Sequence, residues 1–299
     1  MRKLQFRRID YTPYILIGPT VLMTVIVMFL PVLRVFYLSF QNYNYLKMYA
    51  NGYAGIENYV KLFTKDDTFR DAIVVTIKWV FCEISLQLLI GLTVALALNQ
   101  RFKGRSVVRA ISFIPWAVSG VLTTMLWLLM YNEHIGIINR IFVALHLLEE
   151  PRAWLGNTST ALGSVIVAEL WRGTPFFAVT FLAALQSIPV ELYESAKVDG
   201  CGAVLRFIKI TLPFLKDSIV LTTLLRCIWE FNSIDLIYTM TNGGPMRLTT
   251  TLSVYMMQTA IVKSNYGYAS AIGVVCFISL TIFALVYLKV SKYGKGDVE

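Results

Sequence analysis

Residues 72–98 read AIVVTIKWVFCEISLQLLIGLTVALAL, and Lys78 and Glu83 are the only charges in the run. A helix needs about 20 mainly apolar residues, each rising 1.5 Å, to cross the hydrocarbon core of a bilayer. This run is longer than the 10–14 residues expected of a helix buried in a soluble core. Five more runs qualify on either side of it: 14–40, 108–131, 160–186, 218–240 and 268–289. The expected fold is therefore an all-α polytopic membrane protein, with six transmembrane helices in one bundle and residues 1–299 as a single transmembrane domain. The run from Tyr14 is opened by Pro13 and carries Pro31 and Arg34. It is too long for a secretory signal and no small-residue cleavage site follows it, so a retained span is expected.

The composition agrees. Of the 299 residues, 57% are hydrophobic and 15% charged, and the mean hydropathy is +0.63. A soluble domain carries about 25% charged residues. A disordered chain, an ordinary cytosolic enzyme and a nucleic-acid-binding domain are excluded. The net charge of +9 does not argue for nucleic acid, because the charges cluster between apolar runs, where loops face anionic headgroups. Cys82, Cys201, Cys227 and Cys276 form no C-x-x-C pair, and His134 and His146 share one loop. A disulfide, zinc site or histidine-based centre is not expected.

Loop charge sets the orientation, because cytoplasmic loops are enriched in Lys and Arg. With the N-terminus inside, the inner segments hold fifteen basic residues: Arg2, Lys3, Arg7, Arg8, Arg101, Lys103, Arg105, Arg109, Lys197, Arg206, Lys209, Lys216, Lys289, Lys292 and Lys295. The outer segments hold eight: Lys47, Lys61, Lys65, Arg70, Arg140, Arg152, Arg247 and Lys263. Both termini are expected to be cytoplasmic. Asn99 to Ser106 forms a short basic turn. Ile56 to Phe63 and Leu252 to Val262 read as interfacial helices too short to span.

The inner segment 188–216 is amphipathic. Pro189 suits a first helical turn, with Ser187 as its cap. Gly200 suits a left-handed helix end. A second short helix, Ala203 to Ile210, is expected to stop at Leu212-Pro213. Together they form a knob projecting from the membrane.

Within this segment Glu194-Ser195-Ala196, then Gly200, then Ile210-Thr211-Leu212-Pro213 resembles the EAA-x3-G-x9-I-x-LP motif of ABC importer permeases, with Ser195 in place of the middle Ala. Asp199 and Phe207 strengthen the match. The resemblance implies coupling helices that insert into a groove on an ATPase subunit. It assigns that contact to Glu191, Glu194, Ser195, Ala196, Asp199, Gly200, Ile210, Leu212 and Pro213. Other stretches resemble the carbohydrate-uptake branch, which includes maltose, multiple-sugar and glycerol-phosphate importers. These are Gly55-Ile-Glu-Asn-Tyr59, Trp171-Arg-Gly-Thr-Pro-Phe176, Thr241-Asn-Gly-Gly-Pro245, Thr249-Thr-Thr-Leu252 with Tyr255, and Gly267-Tyr-Ala-Ser-Ala271. The resemblance runs from about residue 12 to 290.

Ionisable residues inside spans are costly and usually face the bundle interior. Arg226 and Glu230 share one face of the fifth run, near Asn232, Ser233 and Asp235; Glu169 and Arg172 are three apart in the fourth. They read either as mutually neutralising pairs that fix packing or as a polar strip for a sugar. Trp171, Arg172, Gly173, Phe176, Arg226, Glu230 and Asn232 are the candidate pathway residues, and the resemblance places all of them but Asn232 on the family's central cavity. Lys78 and Glu83 read as structural. No G-x-x-x-x-G-K-[ST] occurs and no nucleophile–base pair stands out. The chain is therefore expected to be neither an enzyme nor a cofactor binder, with ATP and Mg on a separate subunit. The implied partners are a second permease, an ABC ATPase dimer, an extracytoplasmic solute-binding protein and the bilayer of a bacterial cytoplasmic membrane. A secondary transporter and a channel-type subunit are the rival readings.

Overall fold

Residues 11–293 are described by the computed structural model; Arg2, Lys3, Arg7, Arg8 and Lys295 of the charge count lie outside them. The apolar runs become long helices. α1 (Thr12–Thr24) continues through a π-helical turn, Val25–Phe29, into α2 (Leu30–Ser39). After a two-stranded antiparallel hairpin (Gln41–Asn42 with Gly52–Tyr53) come α3 (Glu57–Thr64) and α4 (Asp67–Asn99). The basic turn leads to α5 (Arg105–Ala117), α6 (Gly120–Met130) and α7 (Ile137–Ala144). α8 (Ala161–Gln186) is followed by α9 (Val190–Val198), α10 (Ala203–Arg206), α11 (Leu212–Phe231) and α12 (Asp235–Thr241). α13 (Leu252–Met257) and α14 (Tyr266–Val290) complete the order.

Among the described residues four helices are each long and apolar enough to cross a bilayer: residues 12–39, 67–99, 161–186 and 266–290. The third run is not one straight helix. It breaks at Val118–Ser119, and α5 and α6 meet at 95°; taken together they make a fifth apolar span. The fifth run is also divided, because Asn232 ends α11 and α12 starts at Asp235. α11 carries Lys216, Asp217, Arg226 and Glu230, which keeps it from reading as a plain apolar span.

Large apolar side chains such as Ile15, Leu16, Met28, Phe81, Leu89 and Leu285 face outward. Water would penalise that surface, whereas lipid does not. The interior is held by α4 against α8, the most extensive pairing in the bundle. Gly91 permits it, because a Cβ there would run into the Phe177 Cβ. α14 packs along α2, while α1 buries no side chain.

The 188–216 segment folds into two short helices, α9 and α10, joined at the Gly200 corner, with two departures from the expected knob. Ser187 does not cap α9: its hydroxyl donates back to the Ala184 carbonyl at 2.8 Å, and the helix starts after Pro189 with no side-chain cap. Leu212-Pro213 does not stop the second helix either. The backbone turns through a π-helical stretch, Phe207–Thr211, directly into α11, and Pro213 sits in the first turn of α11. Pro213 has no N–H to donate back into that turn, and the helix widens to π-helical spacing just ahead of it. The expectation for Gly200 fits: φ is +77°.

Candidate functional site

The break between α11 and α12 positions the site. Helix ends leave carbonyls without helical partners, and neighbours satisfy them here. The Trp79 indole N–H donates to the Glu230 carbonyl at 3.1 Å, and the Ser253 hydroxyl donates to the Phe231 carbonyl at 2.6 Å. Asn232 turns its amide back onto the Ile228 carbonyl at 2.8 Å. A polar cleft of about 220 Å³ opens beside the break, lined by Glu169, Arg172, Arg226, Trp229, Glu230 and Asp235 together with the break residues.

Its floor is a buried ionic network. Arg172 donates to Glu169 Oε2 through Nε (2.8 Å) and Nη2 (2.7 Å). Arg226 donates through Nη2 to Glu169 Oε1 at 3.3 Å and to Glu230 Oε1, and through Nε to Gln87 Oε1 at 3.0 Å. The Gln87 amide in turn donates to Glu83 Oε2 (2.9 Å) and Glu230 Oε1 (3.3 Å). Glu83, Glu169 and Glu230 are almost wholly buried, and a buried carboxylate is tolerated only when paired and hydrogen-bonded. Glu83 Oε1 and Glu230 Oε2 nevertheless have no hydrogen-bond partner.

Aromatic rings wall the network. Phe176 packs on Trp229 with centroids 5.0 Å apart, and the Arg226 guanidinium lies about 6 Å from both rings. Trp116 is a further neighbour of Phe176, and Trp171 meets Trp127 edge-on at 6.3 Å. Gly173 leaves the space that Arg226 and Gln87 occupy, since a Cβ would collide with both. Arg172, Gly173, Phe176, Arg226, Glu230 and Asn232 thus converge on one region, whereas Trp171 lies apart from the network, against Trp127 and beside Leu170, Thr174 and Ala178. Gln87 and Trp229 escaped sequence reasoning. Gln87 falls one helical turn after Glu83, and that i, i+4 polar pair inside an apolar run was the available signal. Lys78 points outward and forms no ion pair with Glu83 among the described residues.

The knob lies elsewhere. Glu191, Glu194, Ser195, Asp199 and Gly200 are exposed on it, Ala196 is half-buried, and Val198 and Val204 stand out with 88% and 73% exposure. Its base is anchored. Ile188 is buried, Tyr193 and Ile210 pack on the Leu98–Leu185–Leu215 cluster, and the Tyr193 and Thr211 hydroxyls are 2.9 Å apart. Leu212 and Pro213 are exposed at the start of α11. Among the described residues no three His, Cys, Asp or Glu side chains converge in a metal-holding arrangement.

Residues 87–292 match the profile of the binding-protein-dependent transport system inner membrane component. The chain belongs to that family. Its members are transport subunits of the inner membrane, so the buried charges here lie inside a permease. The chain is 36% identical over 282 residues to the trehalose/maltose transport system permease protein MalF of Thermococcus litoralis, covering 94% of both chains. It is 29% identical to the maltodextrin transport system permease protein MdxF of Bacillus subtilis, over 96% of this chain and 70% of that one. In fold it superposes on a subunit of a bacterial alginate ABC transporter, crystallised in complex with an alginate pentasaccharide-bound periplasmic protein. The TM-score is 0.83 at 22% identity, with 95% and 96% of the two chains covered.

Proposed function

We propose that this chain is one transmembrane subunit of an ABC importer that carries a sugar across the cytoplasmic membrane. The observation that carries this reading is the end-to-end 36% identity with a trehalose/maltose permease. The cleft adds chemical support: acceptors, donors and aromatic rings stand together in an apolar bundle, which suits hydroxyls and pyranose faces.

On this reading the chain crosses the membrane six times, with α5–α6 and α11–α12 as the two interrupted spans and both termini inside. The knob of α9 and α10 docks in the ATPase groove through Glu191, Glu194, Ser195, Ala196, Asp199 and Gly200, with Ile210, Leu212 and Pro213 at its root. A second permease closes the pathway against Trp171, Arg172, Gly173, Phe176, Arg226, Glu230 and Asn232. An ATPase dimer binds ATP and Mg, and a solute-binding protein delivers cargo at the opposite face. ATP-driven closure pushes on the knob and rotates the helices from inward-facing to outward-facing, a rigid-body alternation of access.

The test is reconstitution of the complex with its partner permease, ATPase and binding protein in liposomes. ATP-dependent accumulation of labelled trehalose or maltose is expected, and is lost when any one component is left out. Equal uptake without ATP would overturn the proposal.

A further inference from the structure

The turn between α4 and α5 lies outside the cleft, beside the base of the knob, where Leu98 packs in the cluster that anchors Tyr193 and Ile210. It carries Arg101, Lys103, Arg105 and Arg109, and the chain holds no acidic residue between Glu83 and Glu133. Two of these side chains are pinned. Arg105 Nε donates to the Leu98 carbonyl at 2.7 Å, and Arg109 Nη2 donates to the same oxygen at 3.3 Å. Both guanidiniums therefore sit at the end of α4, and Arg109 and Arg101 are the charges that bear on Arg105. None of the four cations forms an ion pair among the described residues. Gly104 opens α5 at φ +84° with no side-chain cap, so the partial positive charge of a helix start adds to theirs.

One turn further along both helices, an apolar groove of about 320 Å³ runs between α4, α5 and α8, lined by Ile90 and Val94, Ser112 and Pro115, and Thr174 and Ala178. Arg109 stands three residues before Ser112 on α5, and Leu98 four residues after Val94 on α4. Such spacings put residues on one side of a helix, so the cationic turn and the groove lie end to end. We propose that they form one binding site for an anionic phospholipid, with the phosphodiester on Arg105 and Arg109 and one acyl chain in the groove. Arg101 and Lys103 add positive charge at the same level. α4 is long and apolar enough to cross a bilayer, which puts its last turn at the headgroup layer, where basic side chains between helices meet lipid phosphates. The planar fork of arginine fits two phosphate oxygens, and side chains already held by Leu98 lose little freedom on binding. A soluble phosphate ester would satisfy the cations and leave the groove empty. An acidic protein surface would reach the cations but not follow α5 into the hydrocarbon.

The test uses the assembled complex, stripped of lipid in detergent and titrated with phosphatidylglycerol or with phosphatidylcholine of the same acyl chains. Bound lipid is counted by native mass spectrometry. Phosphatidylglycerol should bind at least about tenfold more tightly than phosphatidylcholine, the scale set by two basic residues beside an anionic headgroup. Arg105→Ala with Arg109→Ala should remove one tightly held phosphatidylglycerol per copy of this chain. Val94→Trp fills the groove and keeps all four cations, and should weaken the same lipid severalfold. If the alanine variant does not assemble, Arg101→Ala with Lys103→Ala leaves the Leu98 contacts in place and should weaken binding severalfold. Equal binding of the two lipids, or an unchanged lipid count in the arginine and groove variants, overturns the proposal. Displacement of the lipid by an equal concentration of glycerol 3-phosphate would reveal a site for soluble phosphate and overturn it as well. So would phosphatidylglycerol binding confined to complex freed of its ATPase subunits, which would give the cations to that partner.

Discussion

The Tyr268 hydroxyl donates to the Asp66 carboxylate at 2.6 Å, joining residues 202 positions apart. The same oxygen, Oδ2, accepts the Tyr255 hydroxyl at 2.6 Å, while Oδ1 caps α4 by accepting the Phe69 N–H at 3.0 Å. One side chain thus ties α4, α13 and α14 together at one end of the bundle. Lys61 and Lys263 lie about 5 Å over the Tyr268 and Tyr255 rings.

Burial alone would raise the Asp66 pKa, but the hydrogen bonds from Tyr255, Tyr268 and Phe69, with the charge of Lys263, outweigh it and hold the carboxyl below 3.8. A depressed folded-state value stabilises the fold fully above the unfolded value and loses that effect as pH falls through the lower one. The clamp should therefore be intact at pH 5 and above, and fail only below about pH 4. Asp66→Asn places an amide donor against two hydroxyl donors and should cost about 1–3 kcal/mol at neutral pH. Thermal unfolding of the purified complex from pH 8 down to about pH 3 checks both points: the deficit of the variant should be constant down to pH 5 and shrink below about pH 4.

Gly91 allows the α4–α8 contact. Gly91→Ala puts a methyl onto the Phe177 Cβ and close to the Ala178 backbone nitrogen, neither of which can move without shifting the helix. Overpacking of this kind costs about 1–3 kcal/mol. Gly163→Ala, which meets nothing within 4 Å, is the control. Assembly yield and melting temperature should fall for the first and hold for the second.

Gln87 satisfies Arg226, Glu83 and Glu230 at once. Gln87→Leu keeps the volume and removes every polar contact, leaving buried groups unpaired at about 1–3 kcal/mol each. Gln87→Glu adds a further negative charge to the same site. Both should lower stability more than Asn232→Ala, whose side chain only returns to its own helix. A melting series of the three variants decides it.

Gly200 holds φ at +77° with open space around its Cβ position, so substitution there strains the backbone without a clash. Gly200→Val should cost about 1–3 kcal/mol locally and misaim the knob, while membrane insertion and assembly survive. Stimulated ATP hydrolysis and sugar uptake should fall together, and Glu194→Lys should act alike. Normal stimulation by loaded binding protein in both variants would show that the knob does not couple.

Topology has a direct check. With both termini inside, Cys201 on the knob should be protected from impermeant thiol reagents added to intact cells, while a cysteine placed at Asn157 should react. The reverse pattern would invert the map.

Much of this was legible in the chain. Length and hydropathy alone predict α4, α8 and α14 to within a few residues, because a bilayer-crossing helix must satisfy its backbone internally over about 20 residues. The pairs Glu169–Arg172 and Arg226–Glu230 follow from i, i+3 and i, i+4 spacing. The breaks at Val118–Ser119 and Asn232–Ile234 were not legible. They depend on neighbours that satisfy the exposed helix ends, such as Trp79 at Glu230 and Ser253 at Phe231.

The sequence by itself determined that lipid is the solvent, where the helices run, and that a glycine corner ends α9. These are local consequences of hydropathy, spacing and backbone freedom, each settled within a few turns of chain. The tertiary structure decided which charges meet. Arg226 reaches Glu169 across 57 positions and Gln87 across 139, contacts that no periodicity encodes. Only helix packing brings those side chains within hydrogen-bonding distance, and the cleft exists because that packing leaves room beside a broken helix.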